Sequence, residues 1–369
     1  MKKIQWWHKD LEKKNFLKNI ESIIQKEDLT TGNTTKNYEK LISKTLNVKH
    51  SIAVSSGSMG TLLAFLALDI GVNDEVIVPN IGWISVINAC KIIGAKPVLV
   101  DVEKDRPIID CTNIEKMISK KTKAIFPIYM NGRAADIKKL KKICKKTNIF
   151  LVEDSAQAVG VKKTNKYLGT FGDVGIFSTS ATKLLTTGLG GFLVTNNKKL
   201  AKKMYNMRRH GFSNIQNIRH WDKFGGNFQI ISMQSAMGIE QLKTLRKKLR
   251  LNKRNYLYLS KKLKDLRNFI KPIKIDFKKG EVPVYNEFRV QNREKLVKFL
   301  NKNKIENRLV SPNFERVKYM NLKGKKTFPN SVDYEKNNLY LTSGPGLQLK
   351  DLDEMAKKIR KFYTDNINR

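Results

Sequence analysis

Short apolar runs alternate with longer lysine-rich segments through the first half of the chain. The segments between the runs carry apolar residues at helical spacing, as in Met59–Leu68, Trp83–Ile93, Asn113–Lys120 and Ala135–Lys146. The apolar runs themselves are Ser51–Val54, Glu75–Val78, Pro97–Val100, Ala124–Ile128, Phe150–Glu153, Gly175–Ser178 and Gly191–Thr195. Buried strands that alternate with helices predict a doubly wound, mostly parallel sheet.

The two ends of the chain follow other patterns. Residues 9–27 and Lys36–Leu46 predict amphipathic helices. Beyond residue 240 the pattern predicts a long charged helix from Gln241 to about Leu266, strands at Val282–Tyr285 and Phe288–Val290, and helices at Arg293–Asn303 and Leu349–Phe362. We therefore expect a large α/β domain over residues 1–240, with an N-terminal helical segment, and a small α+β domain over residues 241–369.

The composition fits such a globular protein, but its charge is extreme. Of 369 residues, 72 are Lys or Arg and 33 are Asp or Glu, which gives a formal net charge of +39. This charge attracts phosphorylated ligands at low salt. Because it is mostly lysine, spread along the whole chain without a basic tail, we interpret it as a lysine-biased surface and expect no specific nucleic-acid partner.

Several classes of protein are disfavoured. No stretch approaches the roughly 18 apolar residues of a membrane span, and the charged start lacks the apolar core of a signal peptide. The three cysteines form no CxxC pair, and neither HExxH nor GxxxxGK[ST] occurs. We expect no membrane association, no metal site and a cytoplasmic location.

Lys183 stands out among the many lysines because its neighbours are small or apolar. It lies in a Ser/Thr-rich loop after the run Gly175–Ser178 and before the glycines at positions 188, 190 and 191. A lysine amine that is poorly solvated loses its proton more easily and can then condense with an aldehyde. Taken alone, a surface lysine in a loop is the commoner explanation.

Three further features precede Lys183 on successive βα units. Asp154 ends an apolar run, where a carboxylate can keep a pyridine nitrogen protonated. The turn Ser55–Ser58 opens a helix whose free N–H groups suit a phosphate. Trp83 follows the run Glu75–Val78 and can stack on a flat ring, although core packing is the default role of such a residue. Along the chain, a phosphate-binding turn, a stacking aromatic, a carboxylate and then the lysine indicate a pyridoxal-phosphate site.

With these residues the sequence resembles the DegT-type sugar-nucleotide aminotransferases, which are fold type I pyridoxal-phosphate enzymes. The resemblance runs from about Leu29 to Leu242 and is looser beyond. The motifs that carry it are Ser55–Ser58, Asp74–Pro79, Gly94–Val98, Glu153–Ala158, Phe171–Asp173, Phe177–Ser178 with Lys183, and Arg209–Gly211. The resemblance implies a large domain with a mainly parallel, seven-stranded sheet and a small C-terminal domain.

The resemblance also implies a role for each matching residue. Lys183 is the catalytic lysine that holds pyridoxal 5′-phosphate and moves the proton. Asp154 pairs with the pyridine nitrogen, Gln157 contacts the phenolic oxygen, and Trp83 stacks on the ring. Ser58 and Met59 offer backbone amides to the phosphate, Ser178 offers a hydroxyl, and Asn227 reaches the phosphate from the neighbouring subunit. A homodimer with a shared active site is therefore implied.

The implied reaction is transfer of an amino group from L-glutamate to a nucleoside-diphosphate keto-sugar. The run Thr186–Gly188 resembles perosamine synthase-like enzymes, which act on 4-keto-6-deoxy sugars and supply polysaccharide or glycan biosynthesis. Related sugar dehydratases carry histidine at the position of Lys183, which argues against dehydration. Gln229 and Leu189 stand where the family often has Arg and an acidic residue. Two alternatives stay open: a 3-keto-sugar or cyclitol aminotransferase, and a non-catalytic regulator or scaffold.

Overall fold

The computed structural model describes residues 3–11, 13–26, 28–212, 223–320 and 327–367. Its α-helices are α1 (Lys13–Gln25), α2 (Asn33–Leu46), α3 (Gly57–Ala67), α4 (Ser85–Ile93), α5 (Ile114–Met117), α6 (Ile137–Thr147), α7 (Lys198–Arg208), α8 (Ser232–Lys262), α9 (Arg293–Lys302), α10 (Pro329–Asn337) and α11 (Leu349–Ile367). Its strands are β1 (His50–Val54), β2 (Glu75–Pro79), β3 (Lys96–Val100), β4 (Val102–Glu103), β5 (Arg106–Ile109), β6 (Thr122–Ile125), β7 (Phe150–Asp154), β8 (Lys162–Lys163), β9 (Lys166–Tyr167), β10 (Val174–Ser178), β11 (Gly191–Thr195), β12 (Ile270–Pro272), β13 (Asn286–Val290), β14 (Arg308–Leu309) and β15 (Asn338–Leu341).

The larger sheet confirms the predicted α/β architecture. Its seven strands have the order β1-β11-β10-β7-β6-β2-β3. Strands β10, β7, β6, β2 and β3 pair in parallel, whereas β11 is antiparallel to both β1 and β10. The central strands read as continuous apolar runs because helices cover both faces of such a sheet.

Local sequence explains where the flanking helices begin and end. In α6 the lysines face solvent, while Ile137, Leu140 and Ile143 are buried against the sheet. The Asp136 side chain accepts a hydrogen bond from the Lys139 N–H at 3.1 Å and so caps the first turn. Asn148, in the left-handed conformation with φ 53°, ends the helix.

A smaller antiparallel sheet, of order β12-β13-β15-β14, follows in the C-terminal part. Helices α9 and α11 pack on it around a core that includes Phe288, Leu300, Leu341 and Ile359. The predicted division at residue 240 falls inside α8, a continuous helix, and remains a prediction.

Three predicted elements differ from the structure. The strand predicted at Val282–Tyr285 is wrong, because Pro283 has no N–H to donate. The N–H groups of Val284 and Tyr285 instead donate to the Asn131 Oδ1 atom at 2.8 and 2.7 Å. The strand β13 begins one residue later, at Asn286.

The helix predicted over residues 113–120 covers only Ile114–Met117. It stops because Ile118 is extended and the Ser119 N–H donates to the Thr122 hydroxyl at 2.9 Å, in place of an intrahelical acceptor. Conversely, α8 begins at Ser232, nine positions before the predicted Gln241. Its first turns lie against α2, where Gly238 leaves room for the Tyr38 ring.

A buried ion pair connects the two sheets. The Arg133 guanidinium, just after the 3₁₀ turn Met130–Gly132, lies 2.5 Å from the Glu287 carboxylate on β13, and both side chains are fully buried. The Asn131 amide donates to the same carboxylate at 2.8 Å. Removal of one partner would leave a buried charge without compensation.

We predict that Arg133→Ala lowers the free energy of unfolding by about 3–5 kcal/mol, because Glu287 would remain buried and unpaired. Denaturant unfolding followed by circular dichroism measures this change. The matched control is Arg316→Ala, which removes an arginine from an ion pair with Glu335 where the arginine is 65% exposed. The control should cost about 0–1 kcal/mol. Equal losses in the two variants would contradict the prediction.

Candidate active site

Six of the eight predicted site residues line one cavity, at the carboxyl ends of the parallel strands. They are Ser58, Trp83, Asp154, Gln157, Ser178 and Lys183. The chain reaches this edge after each of β1, β2, β7 and β10, so residues far apart in sequence meet there. This is the crevice in which open α/β sheets bind their ligands.

Met59 and Asn227 do not line this cavity. The Met59 side chain packs on the core, and its N–H donates to the Ser56 hydroxyl at 3.1 Å. Asn227 is exposed, and its Oδ1 atom accepts from the Gln229 backbone at 3.3 Å. The predicted roles of both residues toward a phosphate therefore remain predictions.

Asp154 ends β7 and is buried, with 6% of its surface exposed. Its Oδ1 atom accepts a hydrogen bond from the Ala156 N–H at 2.9 Å. Burial raises the pKa of the Asp154 carboxyl, and the Ala156 amide and the Lys183 ammonium only partly offset this effect. Among the described residues no cation forms an ion pair with Asp154, so the carboxylate is poised for a cationic partner.

The adjacent Glu153 has a different, structural role. It is fully buried and accepts hydrogen bonds from the Tyr129 hydroxyl at 2.5 Å and from the N–H groups of Phe171 and Gly172 at 2.6 Å. Burial raises the pKa of Glu153 as well. Successive side chains of a strand point to opposite faces, so Glu153 fixes the turn beneath the sheet edge while Asp154 faces the cavity.

Lys183 is half-buried in a loop that is stabilised by hydrogen bonds between the hydroxyl groups of its threonines. Its N–H donates to the Ser180 carbonyl at 3.0 Å, and the hydroxyls of Thr179 and Thr187 lie 2.7 Å apart. Gly190, with φ +148°, passes so close to both threonines that a Cβ there would lie 2.4 Å from the Thr187 hydroxyl. The loop therefore fixes the backbone from which the Lys183 amine extends into the cavity.

The first turn of α3 meets the end of β10 on the same side of the cavity. Ser56 caps α3, which leaves the N–H groups of Gly57 and Ser58 without acceptors within the helix. A Cβ at Gly57 would lie 3.0 Å from the Ser178 Cβ, so only glycine lets the turn approach this closely. Two backbone donors, a serine hydroxyl and the positive end of the helix dipole suit a phosphate group.

Gln157 and Trp83 lie in the walls of the cavity. The Gln157 side-chain oxygen accepts from the Asn131 N–H at 2.8 Å, which turns its amide group toward the cavity region. Trp83 keeps 53% of its surface exposed, so it is not a core residue. An exposed indole at a cavity wall is available for stacking on a planar ligand.

Sequence analysis missed several cavity residues, among them Trp6, Tyr285 and Arg308. Trp6 comes from the N-terminal segment, and the other two come from the smaller sheet and the segment before it. Tyr285 donates its hydroxyl to the Thr182 carbonyl at 3.3 Å, next to Lys183. The aromatic pair Trp6-Trp7 was a possible signal, but nothing in its local pattern connects it with Glu306, whose carboxylate accepts the Trp6 N–H from 300 positions along the chain.

These residues fit pyridoxal 5′-phosphate. The half-buried amine can bind an aldehyde, and the desolvated Asp154 carboxylate can receive a protonated ring nitrogen. The donors at the start of α3 match a phosphate. No group of three or more His, Cys, Asp or Glu side chains suited to a metal occurs within the described residues. Nor does any helix in this part of the chain have the length and hydropathy of a membrane span.

Comparison with known proteins agrees with this chemistry. The chain is 29% identical over 343 residues to GDP-perosamine synthase of Vibrio cholerae, which covers 90% of this chain and 91% of the relative. It is 31% identical over 336 residues to GDP-perosamine synthase of Escherichia coli O157:H7, with the same coverage of 90% and 91%.

Solved structures show the same fold. Helicobacter pylori PseC, an aminotransferase of pseudoaminic acid biosynthesis, superimposes with a TM-score of 0.91 at 24% identity, over 99% of this chain and 100% of that one. The E. coli GDP-4-keto-6-deoxy-D-mannose-3-dehydratase with bound hydrated PLP gives a TM-score of 0.87 at 26% identity, over 97% and 100%.

The family match extends over residues 10–360 and therefore includes both sheets. The predicted fold type I architecture and the predicted cofactor are confirmed. This chain belongs to the DegT/DnrJ/EryC1/StrS aminotransferase family and is a pyridoxal-phosphate-dependent aminotransferase.

Proposed function

We propose that this enzyme transfers the amino group of L-glutamate to the keto carbon of a nucleoside-diphosphate 4-keto-6-deoxy sugar. The product would be an amino sugar for surface polysaccharide or glycan biosynthesis. The observation that carries the proposal is the single cavity that joins Lys183, Asp154 and the first turn of α3. The similarity to two GDP-perosamine synthases supports the choice of substrate class.

Each proposed role follows from the position of the residue. The cofactor, when bound, supplies a ring that withdraws electrons from the substrate carbon. Asp154 would hold a proton at the ring nitrogen, because its buried carboxylate gains a cationic partner in that way. Lys183 would hold the aldehyde carbon and then move the proton at the substrate carbon.

The phosphate would be bound by the N–H groups of Gly57 and Ser58 and by the Ser178 hydroxyl. Trp83 would stack on one face of the ring and thereby fix its orientation. Gln157 would donate its amide to the phenolic oxygen, since its own oxygen is engaged by Asn131. These roles are proposals that rest on the location of the side chains around the cavity.

Dehydration is a related reaction, because some structural neighbours are sugar 3-dehydratases. The resemblance noted above assigns histidine to the position of Lys183 in such dehydratases. In this chain the loop presents an amine that is able to transfer a proton and to bind an aldehyde. Lys183 therefore supports transamination.

We further propose a homodimer in which Asn227 completes the partner's phosphate site. Asn227 is exposed and lies outside the cavity of its own chain, as a residue that acts on a neighbour must. A cytoplasmic location is also proposed. The described cysteines Cys90, Cys111 and Cys144 support it, because all three are free thiols.

We predict that Lys183→Ala abolishes the visible absorbance of the purified enzyme and its change on addition of L-glutamate. Amino transfer should slow by about 10²–10⁴-fold or more, because the proton would lose its carrier. Absorbance spectra and single-turnover rates measure both effects. Lys198→Ala, at an exposed lysine on α7, is the matched control and should behave as the native enzyme. An unchanged spectrum in Lys183→Ala would refute the assignment.

We predict that Asp154→Asn stabilises the cofactor-free protein as it impairs catalysis. Burial raises the folded-state pKa of Asp154 above its ordinary value of 3.8, so the native state holds this proton more tightly than the unfolded chain. Ionisation of Asp154 therefore lowers the free energy of unfolding. This loss grows as the pH rises from 3.8 through the folded-state pKa.

The asparagine variant avoids this cost. Its advantage in free energy of unfolding should be small near about pH 4 and larger near about pH 7. Urea unfolding of the two cofactor-free proteins across this range tests the sign. A variant whose advantage shrinks with rising pH would show that the carboxylate is not penalised by burial.

The substrate is tested by a panel of nucleotide sugars. With L-glutamate as donor, we expect the highest kcat/KM for a 4-keto-6-deoxy sugar, with the amino-sugar product identified by mass. A preference for a 3-keto sugar or a cyclitol would replace the proposed regiochemistry and leave the cofactor site unaffected. No product with any keto-sugar, despite a normal response to glutamate, would refute the sugar substrate.

A further inference from the structure

The segment Lys3–Lys9 precedes the region matched to the family and is bound along the smaller sheet. The Ile4 N–H donates to the Lys304 carbonyl at 2.9 Å, and the Glu306 N–H donates to the Ile4 carbonyl at 2.9 Å. Further along, the Ser343 N–H donates to the Trp6 carbonyl at 2.8 Å. Ile4 is buried, so the segment is fixed by backbone pairing and by a hydrophobic contact.

This pairing fixes Trp6 at the wall of the active-site cavity. The Trp6 N–H donates to the Glu306 carboxylate at 2.8 Å, which sets the position of its backbone. Its ring centroid lies 5.5 Å from that of Tyr285, whose hydroxyl contacts the carbonyl of Thr182. A continuous line of contacts therefore extends from the N-terminal segment to the loop of Lys183.

Arg308, on β14, lies in the same wall within reach of two indole rings. Its guanidinium carbon is 5.0 Å from the Trp6 centroid and 5.7 Å from the Trp83 centroid. Both distances are within the range of cation–π attraction. The two indole rings limit the movement of the Arg308 side chain. Because these contacts are not hydrogen bonds, the N–H groups of the guanidinium stay available as hydrogen-bond donors.

Those N–H groups have no acceptor within the described residues, since Arg308 forms neither a hydrogen bond nor an ion pair there. Lys183 and Arg308 are the cationic side chains that line the cavity in this part of the chain. Lys183 is assigned to the cofactor aldehyde, so Arg308 is the remaining positive charge. A planar guanidinium with free donors binds two oxygens of a carboxylate or phosphate side by side.

We propose that Arg308, positioned by Trp6 of the N-terminal segment and by Trp83, binds an anionic group of the substrate. The group is either a carboxylate of the amino donor or the diphosphate of the nucleotide sugar, which share this chemistry. Trp6 acts as a positioning residue, and the segment Lys3–Lys9 is part of the active site. The identity of these two ligands rests on the proposed function.

The test is calorimetric titration of the cofactor-loaded enzyme with two unreactive probes, glutarate for the donor and GDP for the nucleotide sugar. In Arg308→Gln, the affinity for one probe should fall by about tenfold or more, because two charge-assisted hydrogen bonds are lost. Arg308→Lys keeps the charge without the planar fork and should recover part of the affinity. The probe that weakens identifies the anion.

The role of the N-terminal segment is tested separately. Trp6→Ala should weaken the same probe as Arg308→Gln, by a smaller factor, whereas Trp6→Phe should retain most of the affinity. The matched control is Leu309→Ala, at the next residue of β14, which is 48% exposed and does not line the cavity. Its affinities for both probes should equal those of the native enzyme.

Visible absorbance and unfolding temperature verify that each variant is folded and loaded with cofactor. Unchanged affinity for both probes in such an Arg308→Gln protein would overturn the anion site. A loss in Arg308→Gln with none in Trp6→Ala would overturn the positioning role of the segment. Because the titrations need no turnover, failure of the nucleotide-sugar screen would not alter either result.

Discussion

The buried pair between Arg133 and Glu287 connects the two parts of the chain whose residues line the cavity. A charge pair inside a protein stabilises the fold only when its desolvation is offset by close geometry and further hydrogen bonds. Here the carboxylate also receives the amide of Asn131, and the guanidinium donates to the Lys274 carbonyl at 2.9 Å. The pair is satisfied from both sides, so the two sheets are connected at one defined relative position.

Asn131 connects this ion pair with residues that line the cavity. Its side-chain oxygen accepts from the backbone of Val284 and Tyr285, and its own N–H donates to Gln157. One asparagine therefore fixes a wall residue of the larger sheet and the segment that carries Tyr285. Because Tyr285 contacts both Trp6 and the carbonyl of Thr182, the two walls of the cavity share a common support.

Local pattern was sufficient for the parts of the site that belong to the parallel sheet. A strand such as β7 is recognisable as an apolar run, and a carboxylate at its end, Asp154, must face the crevice. A helix that opens directly after a strand likewise placed the first turn of α3, whereas Ser178 was assigned from the family resemblance. Asp154 and this turn share one edge because parallel strands bring their carboxyl ends together.

The remaining parts of the site depend on pairings that a local pattern does not contain. Trp6 reaches the cavity because its backbone binds Glu306, 300 residues away. The segment at Val282–Tyr285 has strand-like residues, but the side chain of Asn131 takes its N–H groups in place of a neighbouring strand. In each case a tertiary contact overrides or completes what the neighbouring residues prefer.

The surface charge and the charged groups in the cavity affect substrate binding in different ways. A net charge of +39 raises the frequency of encounters with anionic substrates, but exposed charges are screened beyond about 10 Å at 0.1 M salt. Inside the cavity screening is weaker, and on the roles proposed above three groups would decide what binds: the Asp154 carboxylate, the Lys183 amine and the Arg308 guanidinium. In these proposed roles Asp154 would favour a cation at the ring nitrogen, whereas Arg308 would favour an anion at the aromatic wall. Opposite preferences within one cavity orient a substrate that the surface charge alone could only attract.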